Sequence, residues 1–385
     1  MGCGGGGSGS GDGKTGNGVS FKSGATGVRN SFAITNDGDV YAAGYNYVGQ
    51  LGLGDDNKDR EVFTRVSSLS GKNIIAIAAA DVHSIALSKD GKVYGAGIDE
   101  SLGLGSREGH FKIYATFTEI TDLRDKGIVA IAAGVSHSLA LSSNGKVYAT
   151  GLNYDGQLGL GDSGEGIFKL HATFTEIIDL RDKNITAISA SDSASFALSS
   201  NGKVYATGEN YYGELGLGDK TDRNVFAEIT DLRDKNITAI SAGNMHTTAL
   251  SKDGRVYAAG YNSNGELGLG DKNNRDTFTE ITDLRDKNIT AISNSFALSS
   301  DGKVYAAGDN YYGELGLGDE NDRDVWTLVP SLSGKNIGAV VARLHSIALS
   351  KDGRIYTTGY NSNGQLGLDD KIDRYKFTLV DSFSK

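Results

Sequence analysis

The chain has 385 residues, with 55 glycines, one proline, one cysteine and a formal net charge of −10. That acidic balance argues against a nucleic-acid partner, which needs a basic stripe, and a single cysteine excludes an intrachain disulfide. No apolar run approaches the roughly 18 residues that a membrane-crossing helix requires.

Residues 1–16 (MGCGGGGSGSGDGKTG) read as a flexible Gly/Ser-rich tether with nothing to bury. Cys3 at its start has the form of a lipid-modified N-terminus behind an added Met1–Gly2; a cloning leader and acylation at Gly2 are the alternatives. The acylation pattern wants Ser or Thr at the sixth position, which is Gly6. The stretch Gly9 to Thr15 superficially resembles a phosphate loop. It has Ser8 where the first glycine belongs, and neither a strand before it nor a helix after it.

Residues 17–385 read as one domain of repeats, approximately 17–72, 73–126, 127–183, 184–235, 236–287, 288–335 and 336–385. The clearest copy is NGKVYATGENYYGELGLGD, Asn201 to Asp219. Its marker tyrosine recurs as Tyr41, Tyr94, Tyr148, Tyr205, Tyr257, Tyr305 and Tyr356, at spacings of 53, 54, 57, 52, 48 and 51. A period near 50 residues means an array of supersecondary units.

Within each unit four strands are predicted. NIxAIxA is built of β-branched and small residues that suit a crowded inner position; HSxALS follows. An Asp-Gly or Asn-Gly dipeptide then turns the chain, with the positive φ of a two-residue hairpin. KVYAAG alternates, with Val and Ala facing one way and Tyr the other, and FTEITDL, as in Phe278 to Leu284, is the fourth. A Gly-rich loop, NxxGxLGLGD, joins the third strand to the fourth, and its leucine pair is expected between units. Four antiparallel strands per unit and no helical period give an all-β, seven-bladed β-propeller of about 50 residues per blade. A terminal strand can complete a mixed blade and lock the ring. Blades two and three carry longer insertions (Ser106 to Thr116 and Asp162 to Thr173), and blade six is shortened before its second strand, reading ISNSFALS from Ile292.

The core Gly151-Leu152-Asn153-Tyr154-Asp155-Gly156-Gln157-Leu158-Gly159, with His137-Ser138 upstream, resembles the regulator of chromosome condensation repeat family over about residues 17–385. The resemblance implies a seven-bladed propeller used as a docking surface; family members include a nuclear exchange factor for a small GTPase, a plant ultraviolet photoreceptor and a secreted β-lactamase inhibitor. The photoreceptor role needs a cluster of tryptophans, and only Trp326 is present. No exchange residues match positions in this chain.

No singular set of nucleophile, base and orienting acid occurs, so the chain reads as non-enzymatic, with no cofactor and no metal site. His83, His137, His246 and His345 share one blade position, held by Asn30, Ala194 and Asn294 in the other copies. Such repetition points to a structural hydrogen bond. The candidate protein-binding residues are the loop tyrosines Tyr45, Tyr47, Tyr154, Tyr211, Tyr212, Tyr261, Tyr311, Tyr312 and Tyr360, whose large amphipathic rings suit recognition, unless each packs on its neighbouring blade. His110, Phe111, Tyr114, Phe168 and His171 join them from the long insertions. Glu214, Glu266 and Glu314 replace the Gln of the same loop and are expected to make that face acidic.

The resulting expectation is a monomeric, lipid-tethered bacterial envelope or surface propeller that binds a protein partner and touches a membrane only through Cys3. A cytoplasmic location is the alternative. Guanine-nucleotide exchange on a small GTPase and secreted enzyme inhibition are the rival functions.

Overall fold

The structure, a computed structural model, describes residues 19–54, 57–105, 112–162 and 169–384. The tether, His110, Phe111 and Phe168 lie outside the described residues. Each blade starts with a hairpin whose second strand is buried on both faces and whose first strand is partly buried. In blade four these are Ile185–Ala190 and Ala194–Ser199, followed by Val204–Gly208 and the outer strand Arg223–Glu228. The four pair antiparallel in sequence order, and six further sheets repeat the arrangement. First strands contact one another around the ring, placing the small residues of NIxAIxA innermost, where the blades converge.

Three local features differ from the sequence expectation. The central hairpin turn is longer than two residues: Gly202 donates its N–H to the Ser199 carbonyl, Ser199 donates to Lys203, and only the glycine has positive φ (83°). This is a type I turn closed by a glycine bulge, in which the Asn or Asp stays right-handed. The fourth strand ends at its glutamate, because Thr282–Leu284 and its counterparts form single 3-10 turns that carry the chain to the next blade. Blade one owns four strands of its own, beginning Phe21–Thr26, and Phe383–Ser384 adds a fifth, pairing parallel with Arg60–Arg65 at the outer edge. The seal is therefore an added strand rather than a mixed four-stranded blade.

The core is distributed over the seven seams. At the seam of blades four and five, Phe196, Val204 and Ala206 face Ala249, Tyr257 and Ala259. One face of each third strand thus meets the preceding neighbour through Tyr and the other meets the following neighbour through Val and Ala. The last seam joins Phe21, Tyr41 and Phe63 to Ile347, Leu349 and Ile355.

Candidate binding face

The turn between first and second strands and the Gly-rich loop between third and fourth strands emerge on the same face of the ring. The loop is internally fixed. Asn210 is fully buried; its side-chain oxygen accepts the Leu215 N–H (3.0 Å) and its amide donates to the Asp219 carbonyl (2.9 Å). Asp219 in turn pairs with Arg223 at 2.6 Å. The glycine between the two leucines has no room for a Cβ: at Gly216 it would lie 2.3 Å from the Phe278 ring of the next blade. Leu215 is completely buried, and the second leucine of the pair bridges to the next outer strand, as Leu317 does to Lys376. Both leucines therefore lie at the seam.

This rigid loop sorts the tyrosines into two kinds. Tyr47, Tyr211 and Tyr311, at equivalent positions, are 67–70 % exposed. Tyr154, at the same position, is also exposed, whereas Tyr45, Tyr212, Tyr261, Tyr312 and Tyr360 are half-buried. Tyr212 stands edge-on to Tyr211 and to Tyr261 of the next blade, with ring centres 4.8 and 4.9 Å apart. Tyr311, Tyr312 and Tyr360 repeat that arrangement two blades further on. Tyr45 and Tyr47 stack on each other, and the Arg29 guanidinium lies over Tyr45 at 4.3 Å. The face therefore carries exposed rings supported by half-buried ones. Tyr114 and His171 lie away from this series. Tyr114 sits under the Lys112 ammonium, and His171 is within 3.1 Å of the Asp162 carboxylate. Among the described residues no cluster could hold a metal ion.

The expected acidic rim is absent at Glu214, Glu266 and Glu314, which are 4, 7 and 5 % exposed. Each occupies the Gln position, where the side chain turns inward to accept the backbone N–H two residues earlier: Tyr212, Asn264 and Tyr312. Gln50, Gln157 and Gln365 do the same for Val48, Asp155 and Asn363. Burial pushes the Glu214 carboxyl up to about 7 and that of Glu314 to about 8, and raises Glu266.

The shared histidine position is mainly a seam device. His83 reaches Ser138 of the next blade at 2.9 Å, His137 reaches Ser195 at 2.9 Å, and His345 reaches Ser31 at 2.6 Å, in each case through Nε2. Ser138 and Ser195 donate their own protons to the carbonyls of Ser101 and Gln157, so the His83 and His137 imidazoles donate from Nε2. Burial holds these rings neutral, lowering His83 to about 3, His137 to about 4 and His345 to about 3. Asn30 and Asn294 replace the ring with an amide that donates to the next blade's Ala80 and Ala342 carbonyls.

Blade six breaks the pattern. The six residues Ala242 to Thr247 that close the first hairpin of blade five are replaced by two, Asn294 and Ser295, so that pairing stops at Ser293–Phe296. The missing tip opens a cavity of about 410 Å³ beside the axis, lined by residues including His246, Glu266, Asp309, Glu314 and Arg343. The sequence signalled the shortening but not the cavity, which depends on what the neighbouring blades place around the gap.

An RCC1-like domain model matches residues 10–295, and regulator of chromosome condensation (RCC1) repeat models match residues 301–349 and 343–365. The ultraviolet-B receptor UVR8 of Arabidopsis thaliana is 31 % identical over 353 residues, which are 91 % of this chain and 67 % of the receptor. Human E3 ubiquitin-protein ligase HERC2 is 32 % identical over 360 residues; the match spans 92 % of this chain but 6 % of the ligase. Prp20p of Saccharomyces cerevisiae, a protein described for its binding to Gsp1p and histones, superposes with a TM-score of 0.76 at 22 % identity, over 89 % of this chain and 85 % of that one.

Proposed function

The chain belongs to the RCC1-like domain family, and on that premise we propose that it is a non-enzymatic protein-binding propeller that works through its Gly-rich loop face. One observation carries this reading. Tyr47, Tyr154, Tyr211 and Tyr311 stand exposed at the same point of four loops, each on a backbone locked by buried Asn, Leu and Gly contacts. Rigid aromatic rings on a fixed scaffold give contact area at little cost in ordering. The position of Cys3 ahead of a Gly/Ser run supports a lipid anchor at a cell envelope as part of the same reading, and intact mass measurement of membrane-extracted protein tests it.

The test of the binding face is a paired capture with wild type and the Tyr47→Ala/Tyr211→Ala/Tyr311→Ala variant as baits. A partner retained by the wild type and lost by the variant, with both baits melting alike, supports the reading. A partner held equally by both removes this face. If the partner is a small GTPase whose bound nucleotide leaves faster in the presence of the propeller, exchange replaces simple binding.

A further inference from the structure

We propose that Asn184, Asn236 and Asn288 are acceptors for N-linked oligosaccharide, so that the face opposite the tyrosine loops carries glycan on three consecutive blades. The proposal rests on the envelope part of the reading above, because the modification needs a chain that has crossed a membrane.

The chain contains three Asn-x-Ser/Thr sequences: Asn184-Ile185-Thr186, Asn236-Ile237-Thr238 and Asn288-Ile289-Thr290. All three fall at one repeat position, at the entry to the innermost strand, where an acceptor must still reach solvent. The local backbone meets that need. Each asparagine stands one residue ahead of its strand, with φ of 52°, 51° and 52°, a left-handed conformation that asparagine tolerates. The main chain there is fixed, since the three carbonyls accept the N–H groups of Ser200, Lys252 and Ser300 at 2.9, 3.0 and 3.0 Å. Side chains then alternate: asparagine and threonine are exposed, and the isoleucine between them is buried in the core. Among the described residues no hydrogen bond engages any of the three side-chain amides. The threonine hydroxyls make one long bond each, 3.2–3.3 Å, to the carbonyls of Leu198, Leu250 and Leu298. Each amide nitrogen is thus unspent, with a surface hydroxyl on the same side of the strand.

The turn accounts for the asparagine but not for the threonine. Asn73 and Asn336 occupy the same turn with φ of 52° and 50°, and the exposed position two residues on is Ile75 or Gly338. An exposed aspartate precedes each acceptor by two residues, Asp182, Asp234 and Asp286. That completes the longer, acidic acceptor sequence read by bacterial oligosaccharyltransferases.

The transfer is redox-neutral. The asparagine Nδ2 forms a bond to the anomeric carbon of a polyprenyl-phosphate-linked oligosaccharide. The bond from that carbon to the phosphate oxygen breaks, and the amide gives up one proton as the lipid phosphate leaves. These asparagines follow the turns that link a fourth strand to the next first strand, so the glycan projects from the side of the ring away from Tyr47, Tyr154, Tyr211 and Tyr311. An occupied site leaves the loop face open.

Mass spectrometry of tryptic peptides tests this, on full-length protein purified from the envelope fraction of its own cell. Cleavage after Lys183, Lys235 and Lys287 puts each acceptor on a separate peptide. The expected spectrum shows saccharide mass on the asparagines of these peptides. It should vanish in Thr186→Ala/Thr238→Ala/Thr290→Ala and persist in Thr186→Ser/Thr238→Ser/Thr290→Ser, both of which leave the left-handed asparagine in place. Bare asparagines at all three sites in envelope-derived protein would overturn the proposal and leave the envelope reading intact. Saccharide that persists in the alanine variant would put the sugar on another atom and overturn it too. Recovery of the protein from the cytosol alone would sink the envelope reading together with the glycan.

Discussion

Arg343 of blade seven and Asp192 of blade four meet across the propeller axis, guanidinium to carboxylate at 2.5 Å, from two inner turns 151 residues apart. Blades that share no seam are thereby joined at the channel mouth. The arginine is 12 % exposed and the aspartate 31 %, so the pair is neither a surface ornament nor a fully desolvated ion pair.

Replacing Arg343 with Gln should cost about 1–2 kcal/mol, between the values for exposed and buried pairs, measured as a lower urea midpoint. It also removes a cation that opposes protonation of His137 and His246. The His137 titration followed by imidazole NMR should therefore move upward from its position near 4. An unchanged titration would mean that burial alone sets it.

Gly316→Ala should be among the most damaging single changes in the ring. The residue has φ of 68°, and its new Cβ would lie 2.5 Å from the Phe377 ring. Gly334, with φ of 73° and nothing within 4 Å of a Cβ, isolates the backbone part of the cost. Gly334→Ala should lose about 1 kcal/mol, and Gly316→Ala about 3 kcal/mol or more, since overpacking adds to it. Equal losses would show that the phenylalanine moves aside freely.

The buried histidines and the buried glutamates work in opposite directions with pH. His83, His137 and His345 have folded values far below the unfolded 6.5, so their contribution is complete above that pH and fades as pH falls from 6.5 toward 3–4. Each then costs about 1.4 kcal/mol per pH step in that window. Glu314, raised from 4.5 to about 8, contributes fully below pH 4.5 and loses that contribution as pH rises to about 8. Glu314→Gln should therefore gain stability relative to wild type with increasing pH, by an amount on the order of a few kcal/mol at pH 8. Parallel melting curves for the two proteins from pH 5 to pH 8 would contradict the assignment.

Tyr211 and Tyr212 are adjacent in sequence but differ in role. Tyr211→Ala loses only its edge-on contact to Tyr212 and should cost about 0.5 kcal/mol. Tyr212→Ala loses edge-on contacts to Tyr211 and Tyr261 and should cost about 1–2 kcal/mol. Chemical denaturation of the two single variants separates recognition from support.

The architecture was legible because its signals are repeated: tyrosine spacing, Asn-Gly or Asp-Gly turns and LGLG each recur in nearly every copy. What the repeat could not show is direction. Glu214, Glu266 and Glu314 read as an acidic face because their charge is visible and their orientation is not; the Gln position points inward to cap its own loop. Tyr211 and Tyr212 carry identical side chains, and only the neighbouring blade's Tyr261 decides which one is covered. The absent residues of blade six were evident in ISNSFALS. The consequence of the gap, a cavity lined by residues such as His246, Asp309 and Arg343, involves several blades at once and no contiguous stretch.

Phe383 touches Phe21, Tyr41 and Phe63 in the first blade. During synthesis those three rings emerge long before the strand that covers them, with more than 300 residues of chain between. The first blade must therefore leave the ribosome with one aromatic flank open, and it stays open while the later blades are added. That flank is covered only when Phe383 docks against it, so the ring is sealed by its last-made strand.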